Sequence, residues 1–190
     1  MNNKIFDQIE NINLSLTIDD LMERISDRYR WPRHYLKHVN GWNYDNVPSI
    51  KAILQNDEEF FDFYLDDGYV DANKVHHMYN NGYTLVLSRV QYLFDDISKI
   101  TDILMNEYGN ATANIYVGKG TSVVSFKDHT HPYSVLVKNV QGKSVWVLNN
   151  EEFIMNDQHA LFFGPNVTHR VDRIIEPKLS ITFNIVSMAK

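Results

Sequence analysis

The stretch SFKDHTHPYSVLVKNVQGKSVW, Ser125 to Trp146, decides how the rest of the chain is read. It sets His129 and His131 one residue apart at the mouth of an extended apolar run. Side chains on a β-strand alternate between faces, so both imidazoles point the same way, and Tyr133, Val135 and Val137 share that face. The run turns at Gly142 and returns as a second strand through Val145, Trp146, Val147 and Leu148. About 40 residues after His129, the segment FFGPNVTHRV (Phe162 to Val171) supplies His169 behind a tight Gly164-Pro165-Asn166 turn. Three imidazoles can hold a metal on one side and leave its other side open to water or substrate. The pattern points to a metalloenzyme with His129, His131 and His169 as ligands.

Outward from this stretch, the texture from Ala111 onward is one of short strands separated by turn signals: TANIYVG, TSVVSF, YSVLVKNV, KSVWVLN, HALFF and KLSITFNIV. Gly82 to Leu87 reads as a strand from its β-branched and aromatic content. Phe94 to Tyr108 carries Ile97, Ile100, Ile103 and Leu104 at helical spacing and stops before Gly109-Asn110. Further upstream, Thr17-Ile18-Asp19-Asp20 caps a helix bearing Leu21, Met22 and Ile25. Pro48 to Leu54 and Asp57 to Leu65 read as two short helices, and Asp71 to Tyr79 as another helical turn. The expected fold class is an all-β core with α additions. Residues 1–110 form a mainly helical layer over a barrel or sandwich at 111–190, with no linker dividing them, so 1–190 is one domain.

The remaining histidines make poorer ligand sets. His34 and His38 stand at i, i+4 on an aromatic and basic stretch, Tyr29 to Trp42, but lack a third partner. His76 and His77 are adjacent and face different ways, and His159 precedes a strand on the exposed side. A chain of 190 residues buries roughly 70% of its unfolded surface as one domain. The net charge of −6 and the lack of a Lys/Arg stripe argue against a nucleic-acid or anionic-membrane partner. There is no cysteine, which excludes disulfides and thiol nucleophiles. With no leader pattern and no run of about 18 apolar residues, the expected location is the cytoplasm.

The order of these elements resembles the double-stranded β-helix of the cupin superfamily. The resemblance is greatest to its JmjC-like branch of Fe(II)- and 2-oxoglutarate-dependent oxygenases, of the bacterial cupin and ribosomal-oxygenase type. That pattern has a His-x-Asp pair leading a strand of the form V-F-V-L-Q-x-E-G-x-K-x-W, and a distal His before a final strand. Here the matching residues are His129-Thr130-His131, Val135 to Trp146, and His169. The likeness reaches upstream through GYTLVLSRVQYLF and Asn114-Ile115-Tyr116, about two-thirds of the chain.

The resemblance implies a double-stranded β-helix, Fe(II) or another divalent metal as cofactor, 2-oxoglutarate as a possible cosubstrate, and hydroxylation of a peptide, a protein side chain or an amino-acid-derived small molecule. It implies that Tyr116 and Asn184 line the cosubstrate pocket, and that Ser144 and Trp146 face inward beside Tyr133. Two departures bear on the chemistry. The family's metal-binding Asp is His131 here. Its basic partner for the far carboxylate of 2-oxoglutarate falls on Ser144, while Lys143 is aimed at the opposite face. Arg170 and Arg173 are the nearest candidates to replace it, with an outer-face placement expected. No catalytic residue beyond the ligands stands out. A 2-oxoglutarate-independent three-His dioxygenase and a silent ligand-binding cupin are the alternatives. Family members often form homodimers through an added helical segment that is not visible here, and the family's C-terminal winged-helix domain is likewise not seen, so ribosomal-protein substrates are not carried over.

Overall fold

The computed structural model describes residues 3–26, 49–54, 57–59, 70–120 and 126–187. Among these residues, four helices, α1 (Asn3–Glu10), α2 (Ile18–Ser26), α3 (Ala72–Asn80) and α4 (Asp95–Tyr108), lie among ten strands. The strands are β1 (Ser49–Leu54), β2 (Asp57–Glu59), β3 (Thr84–Ser88), β4 (Gly109–Gly118) and β5 (Ser134–Gln141), followed by β6 (Ser144–Leu148), β7 (Glu151–Met155), β8 (Ala160–Phe163), β9 (His169–Ile174) and β10 (Lys178–Ser187). They form a seven-stranded sheet, β2-β1-β3-β4-β10-β5-β8, and a three-stranded sheet, β7-β6-β9, antiparallel throughout. This is a cupin-type jelly-roll barrel with helical additions.

Alternation along the strands sorts the larger sheet into two faces. Leu179, Ile181, Phe183 and Ile185 of β10, with Ala113, Ile115 and Val117 of β4, pack against Leu21, Ile25, Ile100 and Leu104 of the helices. The opposite face meets the small sheet, where Val135, Val137 and Phe163 pack on Trp146, Leu148 and Met155. Burying a large aliphatic or aromatic side chain contributes about 1.5–3 kcal/mol, so the helical layer supplies most of the apolar burial and the barrel interior is left partly open.

The N-terminal segment is fastened to the barrel by polar groups of β5. Lys138 is fully buried, and its ammonium donates to the main-chain carbonyls of Glu10 and Gln158. The Gln141 side-chain carbonyl accepts from the Ile18 N–H at 2.8 Å. Thr17 and Asp20 cap α2 reciprocally: the Asp20 N–H donates to Thr17 Oγ1 at 3.0 Å and the Thr17 N–H donates to Asp20 Oδ2 at 3.1 Å. Asp71 caps α3 through the Lys74 N–H at 3.1 Å, and Gly109 ends α4 at φ 104°.

The sequence reading needs correction upstream. Ser49–Leu54 and Asp57–Glu59 are strands, not the starts of two short helices. β1 pairs with β3 from Ser49↔Ser88 to Ile53↔Thr84 and turns back into β2, so sheet pairing overrides the local helical signal of the acidic Asp57-Glu58-Glu59. The first 110 residues therefore contribute three strands to the large sheet as well as the helices. Helix α1 and strand β7 are further elements that the sequence reading did not single out. Tyr29 to Trp42, with His34 and His38, lies outside the described residues, as do 60–65 and 121–125. Among the described residues, no helix is long and apolar enough to cross a membrane.

The β5–β6 turn depends on Gly142, at φ 81°. A β-carbon there would collide with the Pro177 carbonyl, while Gly164 has nothing within 4 Å of the equivalent position. Gly142→Ala is expected to lower stability by more than about 1 kcal/mol in urea unfolding, and Gly164→Ala to stay within about 0.5 kcal/mol of the parent.

Candidate metal centre and cavity

His129 and His131 come from the segment entering β5, and His169 opens β9. Main-chain hydrogen bonds clamp the two segments together. The His129 N–H donates to the His169 carbonyl at 3.2 Å, the His169 N–H to the His129 carbonyl at 3.0 Å, and the Asn166 N–H to the His131 carbonyl at 2.7 Å. One ring nitrogen from each imidazole falls within 4.8 Å of the other two. The turn through Asn166, at φ 60°, delivers His169 to this position.

The tautomers can be read from the carbonyls. His129 Nδ1 lies 2.9 Å from the Lys127 carbonyl oxygen and His169 Nδ1 lies 2.9 Å from that of Val167. A carbonyl only accepts, so both Nδ1 atoms carry a proton, which leaves Nε2 as the atom through which each ring can meet a metal. Burial holds His169 down at about 4, against an ordinary 6.5. Burial, and then the neighbouring His129, lowers His131 as well. His131 and His169 are thus neutral at neutral pH, the form that coordinates metal. The donor set fits a divalent transition metal such as iron, nickel, copper, zinc or manganese.

Aromatic rings wall this end of the cavity. Tyr133 stacks on His131 at 4.8 Å with 5° between planes, and Phe163 lies 4.5 Å from His169. Trp146 is nearly parallel to His169 at 6.5 Å. The cavity is about 500 Å³ and reaches from the imidazoles past Tyr116, Thr182 and Asn184 to Lys178. Of the residues the sequence reading placed in the pocket, Tyr116, Tyr133, Trp146 and Asn184 border this space together with the three histidines. Ser144 is fully buried on the same strand as Trp146 but does not border it.

The arginines following His169 point elsewhere. Arg170 bridges Asp128 at 2.7 Å and Asp172 at 3.1 Å, and Arg173 bridges Asp172 at 2.8 Å. Both are engaged by carboxylates, Asp128 at the cavity border and Asp172, and neither arginine borders the cavity. His159 is exposed, and His76 and His77 turn to different partners, Ser26 and Asn81.

The basic residue that the sequence reading missed is Lys178, 2% exposed at the start of β10 and bordering the cavity. Its ammonium donates to Ser180 Oγ at 3.1 Å and sits 5.3 Å from the Trp146 ring centre. The signal was present in KLSITFNIV. Alternation that turns Asn184 inward also turns Thr182, Ser180 and Lys178 inward. Burial pushes the Lys178 ammonium down to about 8 from 10.5.

No protein-family model and no curated protein matches the sequence. Solved structures do match. The chain aligns with the ribosomal oxygenase YcfD of Escherichia coli at a TM-score of 0.57 and 10% identity, over 95% of this chain and 46% of that one. It thus spans about half of that protein. Smaller overlaps occur with a cupin superfamily protein of Desulfitobacterium hafniense DCB-2 (TM-score 0.36, 10% identity, 40% of this chain and 68% of that one) and with a DMSP lyase (0.37, 17%, 40% and 39%). At 10% identity the likeness to YcfD speaks to the fold alone. A shared barrel does not fix the reaction, and the site has to be argued from its own residues.

Lys178 gives a test of the cavity's electrostatics. An ammonium bound less tightly to its proton in the folded chain than in the unfolded one costs stability below pH about 8, on the order of 3 kcal/mol. That cost fades as pH rises from about 8 to about 10.5, where the unfolded chain also loses the proton. Lys178→Met should therefore raise stability at pH 7, with the difference from the parent shrinking across that window when both are unfolded in urea at a series of pH values.

Proposed function

We propose that the chain is a metal-dependent oxygenase in which His129, His131 and His169 hold Fe(II). The observation that carries this reading is the meeting of three imidazoles at one end of an aromatic-walled cavity. Among the described residues, the one carboxylate bordering the cavity, Asp128, is engaged by Arg170. That leaves no unpaired carboxylate beside the imidazoles to act as a general base, whereas redox chemistry needs only the metal and a shaped space.

Iron, when bound, supplies activation of O2. The chain's own residues bind and orient. The carbonyls of Lys127 and Val167 fix two of the imidazoles, Tyr133 braces His131, and Trp146 with Phe163 excludes water. Tyr116 and Asn184 offer hydrogen bonds to the bound molecule. With 2-oxoglutarate as cosubstrate, one atom of O2 ends in succinate as CO2 is released, and the other converts a substrate C–H to C–OH. The substrate class is a peptide, a protein side chain or an amino-acid-derived small molecule.

A second reading has its own support. His131 stands where the resembling family has a carboxylate, and Ser144 where it has a basic anchor. Three neutral ligands leave the centre more positive, which favours direct chelation by an anionic substrate that takes up both oxygen atoms without a cosubstrate.

Anaerobic Fe(II) titration followed by O2-uptake measurements tests both. We expect saturable Fe(II) binding that weakens more than about 100-fold in His129→Ala, His131→Ala and His169→Ala. Uptake of O2 that requires 2-oxoglutarate and releases succinate supports the first reading. Uptake that proceeds with substrate alone supports the second. Unchanged Fe(II) affinity in all three variants would sink both.

A further inference from the structure

Lys178 is 2% exposed and borders the cavity. Among the described residues its Nζ meets one oxygen, Ser180 Oγ at 3.1 Å, and lies 5.3 Å from the centre of the Trp146 ring. Lys138, also buried, is held instead by the carbonyls of Glu10 and Gln158 and does not border the cavity. An ammonium has three donors to place, and no carboxylate among the described residues balances the charge of Lys178. Burial without a counter-charge favours the neutral amine, the form whose lone pair attacks carbon. The group is brought down to about 8, so a usable share of it is neutral amine near pH 7. The surroundings suit an electrophile of matching kind. Val135, Phe163, Val171 and Ile174 give the cavity an apolar wall. Trp146 Nε1 is buried without a hydrogen-bond partner, so the indole whose face meets the amine also keeps a donor for an oxygen atom. Tyr116 borders the same space, and the β4–β10 register sets it directly across from Ser180.

We propose that Lys178 is a nucleophile that forms a Schiff base, and that the cavity admits a small neutral aldehyde or ketone with an apolar body to condense with it. The amine lone pair adds to the carbonyl carbon while the π electrons move to oxygen, and one amine proton transfers to that oxygen to give a carbinolamine. The C–O bond then breaks, the C=N bond forms, and the oxygen leaves as water with the two protons that the amine has lost. The Tyr116 phenol is the relay for those protons, and the Trp146 N–H is the donor to the carbonyl oxygen. The exchange of one carbonyl and one amine for one imine and one water needs no oxidant, reductant or metal. It therefore goes beyond the oxygenase reading and does not rest on it. A carbonyl compound of a few carbons fits the volume of about 500 Å³.

The test is reductive trapping on the intact chain in the presence of a chelator. Butanal is the probe, sodium cyanoborohydride fixes the imine, and peptide mass mapping locates the butyl group. We expect Lys178 to be butylated at pH 7 at least about tenfold faster than Lys99, whose side chain is 72% exposed. The rate at Lys178 should level off above about pH 8, while that at Lys99 keeps rising to about pH 10 and beyond. In Lys178→Arg, which keeps the charge, the fast phase of butylation should be lost and the slow reaction of Lys99 unchanged, with thermal unfolding to check that the variant is folded. Reaction at Lys178 no faster than at Lys99 overturns the proposal. So does reaction that begins only once urea has unfolded the chain, or a fast phase that survives in Lys178→Arg. Because trapping is read without metal, its failure is separate from that of the oxygenase reading: a chain that is trapped but takes up no O2 keeps the nucleophile and loses the oxygenase, and the opposite result does the reverse.

Discussion

The pairing of β10 with β4 on one side and β5 on the other is the constraint on which the rest of the molecule depends. Ten residues of β10 run in register with β4, from Lys178↔Gly118 to Ser187↔Gly109. One face of the strand, Leu179, Ile181, Phe183 and Ile185, is buried among the helices. The other face carries Lys178, Ser180, Thr182 and Asn184. A slip of one residue would drive four polar groups into the apolar core and four large apolar groups into the cavity, an exchange no small domain survives. The same register thus fixes both the helical core and the polar lining of the cavity.

The second constraint is local and closes the barrel at its metal end. His129 and His169 exchange two main-chain hydrogen bonds, so the residues that offer imidazoles are the same ones that join β9 to the segment entering β5. A side-chain cluster supported by its own backbone pairing keeps its geometry before any ion arrives, and less ordering entropy is lost on binding. Pre-orientation of Nε2 by the Lys127 and Val167 carbonyls works in the same direction.

The barrel was legible in the sequence because its strands repeat one signal, β-branched and aromatic residues in short runs between turn residues, and the turns at Gly142 and Gly164-Pro165-Asn166 announce themselves chemically. The convergence of His129, His131 and His169 was legible from period-2 spacing and from the order of elements. Ser49–Leu54 was not, because a short run with apolar residues at mixed spacing is decided by what it pairs with, here β3, and that partner lies more than 30 residues away. Lys178 was overlooked for another reason. A lysine at the first position of a strand is normally a solvated edge group, and only the parity carried back from Asn184 turns it inward.

Buried charge connects these observations to function. Two ammonium groups among the described residues are kept out of water, and at Lys138 the return is structural: two carbonyls satisfied and the N-terminal segment held against β5. At Lys178 no comparable return is visible in the protein alone, since Ser180 and Trp146 offer a neutral oxygen and a ring face. A methionine of similar volume would pack against that indole without the desolvation cost. Folding stability thus argues against a lysine at this position. The neutral imidazoles present the same asymmetry, for His169 is buried with its lone pair facing two other imidazoles rather than a donor. Both ends of the cavity thus hold buried polar groups that the fold by itself pairs incompletely, imidazoles at one end and an ammonium at the other.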